Sequence, residues 1–207
     1  MNTFGLLLFL LALGLLWSRT MSYTVWFLAG EGVLLSLMVW TSEPWTTVTI
    51  LVGLGTLVVK GGLIPVLIHR LLRTWPAAFR RDHPLPLWAY GVAVLVVLAV
   101  SHVIHLLGPT GVIHDTLLFF YALSSIHVGF VMIVARRHLL SQLASLVAIE
   151  NGLVVLAVSL AGALPTFVEL GLLVDLSLGA TLMVWMSHRI RHEMQTTDVM
   201  TLRRLRG

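Results

Sequence analysis

Apolar stretches of about 20 residues recur along this chain, and each is long enough to cross a hydrocarbon core of ~30 Å as a helix. The backbone of a helix satisfies its own hydrogen bonds inside lipid, where water cannot. Only 11% of the residues are charged and 58% are hydrophobic, so the chain has too few charges to cover a soluble domain. We therefore predict an all-α, polytopic membrane protein with about seven transmembrane helices.

Basic residues set the predicted topology. Arginines follow the odd-numbered spans, whereas the segments after the even-numbered spans contain neither lysine nor arginine. Because basic loops favour the cytoplasmic side, we predict an outside N-terminus and a cytoplasmic C-terminus. The first span lacks a basic leading region, so we interpret it as a retained helix rather than a signal peptide. The predicted spans are residues 2–18, 21–41, 46–69, 86–107, 112–135, 139–162 and 166–188.

A polar, proline-rich segment at residues 71–85 predicts a cytoplasmic connector. It separates a first three-helix unit at residues 1–70 from a four-helix unit with a short cytoplasmic tail at residues 86–207. Glu31 precedes Arg70 by the same number of residues by which Glu150 precedes Arg189. This spacing favours a parallel three-helix repeat. Coincidence among similar apolar helices is the alternative.

Four charged residues lie near the middle of predicted spans: Glu31, Lys60, Glu150 and Asp175. A charge at the bilayer centre costs ~2.5–3.5 kcal/mol on insertion scales, so such residues usually face a protein or water-lined interior and mark ion or proton paths. Glu150 suits a proton-relay group that changes its protonation state. A neutral glutamic acid that bridges two helices is the alternative.

Lys60 is followed by Gly61, Gly62 and Pro65. Proline has no N–H to donate and frees a carbonyl near Gly61, so we predict a local helix break beside the lysine. The alternative is that Lys60 reaches toward the membrane surface with its long side chain. Glu31 is a candidate ion-pair partner for Lys60 on an adjacent helix.

The last predicted span carries two further candidates for a proton path. Asp175 has Gly171 and Gly179 one helical turn away on the same face, which predicts a close helix contact. Glu169 lies nearer the outer surface and is either part of the path or an interfacial residue.

Histidines add a third kind of candidate. His127 lies deep in the fifth span and can join a relay, because imidazole titrates near neutrality. A packed histidine bonded to a serine such as Ser124 is the alternative. Another group of polar residues lies near the predicted outer surface: His102, His105, His114 and Asp115. They could form a metal site, or they could lie at a hydrated helix end.

Other classes of function find no support in the sequence. The chain has no cysteine, which excludes disulfides and thiolate metal sites. No nucleotide-binding glycine pattern follows a strand, and the arginines suit anionic lipid headgroups better than nucleic acid. We predict no cofactor, no bound metal and no catalytic residue in this chain.

Four motifs are distinctive: the run RRHLL at residues 136–140 followed by ENG at 150–152, VKGGLIP at 59–65, FVELG at 167–171 with Asp175, and the tail at 197–202. Together they resemble the motifs of hydrogenase-4 component E, the small membrane subunit of formate hydrogenlyase-type complexes. The last three spans also resemble subunit K of NADH:quinone oxidoreductase and its three-helix counterpart in multi-subunit antiporters. In that resemblance Glu150 matches the middle-helix carboxylate, and Glu169 or Asp175 matches the third.

The resemblance implies a non-catalytic subunit of a hydrogenase-like, energy-converting oxidoreductase complex in a bacterial or archaeal cytoplasmic membrane. Its implied partners are antiporter-like and redox-arm subunits. Its implied role is to link a lateral proton path through Glu31, Lys60, Glu150 and Asp175, with His127 and Glu169 as further members. A component of a sodium/proton antiporter and a structural scaffold are the alternatives.

Overall fold

The computed structural model describes residues 1–42, 44–73, 86–107, 113–161, 181 and 185, and this part of the chain is helical, without β-strands. A π-helical segment (Leu57–Leu63) joins α3 and α4 into one long helix without interruption. The α-helices are α1 (Asn2–Trp17), α2 (Met21–Ser42), α3 (Thr47–Thr56), α4 (Ile64–Arg73), α5 (Leu87–Leu107), α6 (Thr116–Ala135) and α7 (Leu139–Ala161).

Five helical stretches in the described part are long and apolar enough to span a membrane: Met21–Ser42, Thr47–Arg70, Trp88–Leu107, Thr116–Ala135 and Leu140–Leu160. The predicted all-α architecture is therefore confirmed, with five candidate membrane-spanning helices in the described ranges. Helix α1 is also apolar but has only 16 residues. The predicted seventh span at 166–188 lies outside the described residues except for residues 181 and 185, so neither the count of seven nor the repeat is tested. The first residues of the predicted connector belong to α4, and residues 74–85 are not described.

Two helical hairpins form the centre of the described bundle. In the α1–α2 hairpin and the α6–α7 hairpin the two helices pack side by side, with α1 against α6 and α2 against α7. The long helix that contains the π-helical segment packs on α2, and α5 packs on α6. Polar side chains cap the N-terminal ends of two of these helices. The Thr46 side chain accepts a hydrogen bond from the amide of Thr49 at the start of α3, and the Asp115 side chain accepts hydrogen bonds from the amides of Leu117 and Leu118 at the start of α6.

The arginines of the described ranges gather at one end of the bundle, which we call the arginine end. Arg19 lies between α1 and α2, and Arg136 and Arg137 lie between α6 and α7. Arg70 and Arg73 are in the last turn of α4, which packs on α2 and shares an apolar cluster with the C-terminal end of α1. This clustering agrees with the charge pattern that we used for topology. The side of the membrane that the arginine end faces stays a prediction.

Arg136 ties the two hairpins together at the arginine end. Its side chain is buried, and Nη2 donates to the backbone carbonyls of Leu15, Leu16 and Ser18 at 3.0, 2.8 and 2.6 Å. The last carbonyls of a helix have no partner within the helix, and a cation is favourable at this end of the helix dipole. Arg136 thus satisfies the C-terminal end of α1 from the other hairpin.

We expect Arg136→Ala to lower the stability of the protein by ~1.5–3 kcal/mol, because it removes three charged hydrogen bonds, including those to the carbonyls of Leu16 and Ser18. The neighbouring Arg137 is exposed, so Arg137→Ala is the matched control. Thermal unfolding of both variants in detergent measures the difference. Equal melting temperatures would show that Arg136 does not hold the hairpins together.

Two apolar clusters divide the bundle along its length. The first lies toward the arginine end and includes Leu28 of α2 and Ala148 of α7. The second lies toward the opposite end and includes Leu35 of α2 and Val155 of α7. On both helices the stretch between the two clusters contains the polar residues: Glu31 on α2, and Glu150 with Asn151 on α7. The fold therefore places a polar layer between two apolar ones.

Candidate functional site

Four polar side chains from three helices meet in this layer, and we call them the Lys60 cluster: Glu31, Lys60, Glu150 and Asn151. Lys60 Nζ lies 2.6 Å from Glu150 Oε1 and forms an ion pair with it. The same ammonium donates to Asn151 Oδ1 at 3.1 Å. Asn151 Nδ2 in turn donates to Glu31 Oε2 at 2.9 Å. A continuous hydrogen-bonded chain therefore runs from Glu150 through Lys60 and Asn151 to Glu31.

Exposure within the cluster changes from one end to the other. Glu31 and Asn151 are 0% exposed and Lys60 is 4% exposed. The side chain of Glu150 is 14% exposed, the largest value of the four. Glu31 Oε1 has no hydrogen-bond partner among the described residues. The cluster is thus closed at Glu31 and reaches the surface of the described bundle only at Glu150.

The π-helical segment determines where Lys60 lies on its helix. The amide of Ile64 donates to the carbonyl of Val59, five residues earlier, instead of the usual four. The sequence predicted a break in the helix beside Lys60, and this detail is wrong because the chain stays helical through Pro65. Pro65 has no backbone N–H to donate, and the wider π-helical turn before it accommodates this missing donor. Such π-helical turns are frequent at functional sites.

Gly32 allows α2 to approach the π-helical segment at backbone distance. A Cβ atom on Gly32 would lie 2.7 Å from the carbonyl oxygen of Lys60, and closer still to the Lys60 carbonyl carbon and the Gly61 amide nitrogen. No real Cβ fits there. The absence of a side chain at Gly32 therefore lets Glu31 reach the same layer as Lys60.

A second glycine, Gly152, allows α7 to pack closely on α6. A Cβ on Gly152 would lie 2.7 Å from the Ile126 side chain and 3.2 Å from the Ile126 amide nitrogen, so α6 and α7 touch at this level. In each of the motifs Glu31-Gly32 and Glu150-Asn151-Gly152, a polar residue thus lies beside a small residue that permits close packing. The sequence singled out both motifs by their spacing, but not the packing that they serve.

The structure also decides the partner of Lys60. The sequence suggested Glu31, whereas the ammonium pairs directly with Glu150 and reaches Glu31 only through the Asn151 amide. Asn151 was recognised only as part of a motif and not as a member of the site. The signal in the sequence that could have identified Asn151 was its position between Glu150 and Gly152, the glycine that contacts α6.

Other candidates lie apart from this cluster or beyond the described residues. His127 Nδ1 bonds to the Leu123 carbonyl at 2.7 Å and to Ser101 Oγ at 3.3 Å, between α5 and α6. The serine that we considered as its partner, Ser124, bonds to the Phe120 carbonyl instead. Asp175 and Glu169 lie outside the described residues, so their membership of the path stays a prediction.

The histidines that we predicted near the outer surface do not come together in the described structure. The rings of His102 and His105 contact Phe120, and His105 also contacts Phe119. The His114 amide donates to the Ser159 carbonyl. Within the described ranges, no three histidine or acidic residues come together in a group that could hold a metal ion.

The Lys60 cluster is therefore the candidate functional site. It contains two carboxylates and one ammonium, so its formal charge is negative when all three groups are ionised. A buried charge without compensation is costly, and binding one proton or one monovalent cation would neutralise the cluster. Comparisons of the chain with protein-family models, with curated proteins and with solved structures each found no match.

Proposed function

We propose that this protein is a non-catalytic membrane subunit that exchanges protons at the Lys60 cluster. The observation that supports the proposal best is the composition of the cluster: two carboxylates and one ammonium lie in a single layer that apolar side chains flank on both sides. Intramembrane ionisable groups arranged in this way are typical of proton relays.

Glu31 is the proposed proton acceptor inside the cluster. Asn151 donates to one of its oxygens, and the other oxygen has no hydrogen-bond partner among the described residues. Asn151 cannot change its own charge, and the Glu150 carboxylate already pairs with Lys60. A proton on Glu31 would cancel the formal negative charge of the cluster without breaking any of these bonds.

The proposed path is lateral rather than straight across the membrane. The apolar clusters lie above and below the Lys60 cluster along the helix axes. The side chain of Glu150 has the largest exposed fraction in the cluster and lies at the side of the described bundle. A proton that leaves the cluster at Glu150 therefore moves in the plane of the membrane, toward a neighbouring segment or subunit.

The resemblance to hydrogenase-4 component E supports a place in a larger complex. In this proposal the chain has seven spans, with the N-terminus outside and the C-terminus in the cytoplasm of a bacterial or archaeal cell. Antiporter-like and redox-arm subunits are the proposed partners. Asp175 and Glu169 would continue the path from Glu150, and the redox chemistry would belong to other chains.

Infrared difference spectra of the full-length protein in lipid vesicles test the proposed proton exchange. Between alkaline and acidic pH we expect a carbonyl band of a protonated carboxylic acid that shifts in D₂O and disappears in Glu31→Gln. In its complex, Glu150→Gln should assemble normally but lose most of the proton-coupled activity.

A purely structural role for the cluster makes the opposite prediction. In that case Glu31→Gln and Glu150→Gln would reduce the yield of folded protein and leave coupled activity per molecule unchanged. The alkaline and acidic spectra would then show no band that depends on Glu31. This outcome would favour a scaffold over a proton-exchanging subunit.

A further inference from the structure

We propose that Lys60 is the residue that selects protons over alkali cations, because its ammonium occupies the position in which Na⁺ would bind in the Lys60 cluster. This inference rests on the proposed proton exchange at the same site and identifies what determines the choice of ion.

The surroundings of the ammonium are those of a small cation site. A carboxylate oxygen of Glu150 lies 2.6 Å from Nζ and the amide oxygen of Asn151 lies 3.1 Å from it. The Glu31 carboxylate lies on the other side of the Asn151 amide, and one of its buried oxygens has no hydrogen-bond partner among the described residues. Carboxylate and amide carbonyl oxygens are the ligands that hard cations prefer.

Attachment to the backbone keeps the ammonium in this position. Gly32 packs directly against the backbone of Lys60 and Gly61, so the base of the lysine lies close against α2. A tethered group competes at an effective concentration of ~mM or more without being diluted by the solvent. Free Na⁺ therefore meets a site that already holds its cation.

A proton escapes this competition. It binds covalently to a single carboxylate oxygen and needs no cage of ligands, so it can add to Glu31 while Lys60 stays paired with Glu150. Lys60 is also the only lysine of the chain, in which every other basic residue apart from histidine is an arginine. A compact ammonium resembles an alkali cation in shape and charge far more than a planar guanidinium does.

Binding of radioactive Na⁺ to the purified full-length protein in lipid nanodiscs, at alkaline pH with choline as the background cation, tests the inference. We expect saturable binding in Lys60→Met and none in the wild-type protein. The binding should disappear in the double variant Lys60→Met/Glu150→Gln, which lacks the main ligand. Saturable Na⁺ binding by the wild-type protein, or no binding by folded Lys60→Met, would overturn the inference.

A smaller polar substitution, Lys60→Ser, gives a second chance to obtain folded protein and carries the same expectation. If neither variant can be purified, the wild-type protein decides. Replacing choline with Na⁺ should leave the infrared band of the Glu31 acid unchanged, whereas a loss of that band caused by Na⁺ would contradict the inference.

The Na⁺-binding test of Lys60 and the infrared test of proton exchange can fail independently of each other. A Glu31-dependent acid band in the wild-type protein, together with no Na⁺ binding in folded Lys60 variants, would leave proton exchange standing and remove the role of Lys60 in selection. Na⁺ binding by Lys60→Met without any such band would do the reverse.

Discussion

Lys60→Met is expected to destabilise the folded protein by ~3–5 kcal/mol in buffers without alkali cations, as is usual when one partner of a buried ion pair is removed. The substitution takes the ammonium counter-ion away from Glu150 and the donor away from Asn151 Oδ1. The Asn151 amide also positions Glu31, so the loss should extend through the cluster. The melting temperature in detergent, with choline as the only added cation, measures the effect.

The double variant Lys60→Met/Glu150→Gln is the matched control. It removes the Glu150 charge together with the ammonium, so it should be more stable than Lys60→Met alone. Na⁺ should raise the melting temperature of Lys60→Met but not that of the double variant. If the losses of the two single variants simply added, the ion pair would make no net contribution and the cluster would be held by packing alone.

Gly32→Val is expected to have the second large effect, a loss of stability at or above the ~1–3 kcal/mol that is typical of overpacking. A side chain at this position would collide with the backbone of Lys60 and Gly61, which cannot rotate out of the way as a flexible side chain can. The long helix would then have to separate from α2. We therefore expect the infrared band of the Glu31 acid to be lost along with thermal stability.

Two glycine variants serve as controls for this experiment. Gly62 lies in the same π-helical segment, but a Cβ there meets only the Leu57 carbonyl oxygen, at 3.8 Å. A Cβ on Gly91 in α5 has nothing within 4 Å. Gly62→Ala and Gly91→Ala should therefore leave the melting temperature unchanged or raise it slightly, since alanine favours helix. A Gly32→Val protein as stable as these controls would show that the α2 contact does not position Lys60.

The helical architecture was predictable because it depends on local properties of the chain. The length of an apolar stretch decides whether it can span a membrane, and the predicted spans from residue 2 to residue 162 each correspond to a helix in the described ranges. The arginines of the described ranges likewise appear at one end because each follows or ends a span that runs toward that end. Neither inference needs knowledge of which helices touch.

The contacts inside the site were not predictable in the same way. Lys60 and Glu150 are 90 residues apart, and their pairing depends on how the long helix and α7 rotate about their axes. The capping of α1 by Arg136 across 121 residues is another example, because the sequence shows only a basic residue in a loop. The bond between His127 and Ser101 of α5, rather than Ser124 of its own helix, has the same origin.

By itself the sequence determined that this protein consists of apolar helices long enough to span a membrane, with charged residues near the middle of several of them, since hydrophobic length and charge position are properties of each segment alone. Only the tertiary structure decided that Glu150, and not Glu31, is the ion-pair partner of Lys60, and that Asn151 joins the two carboxylates. The physical reason is close packing. The contact between Gly32 and the π-helical segment brings Glu31 and Lys60 into one layer, and the seating of Gly152 on α6 places α7, with Glu150 and Asn151, in that layer.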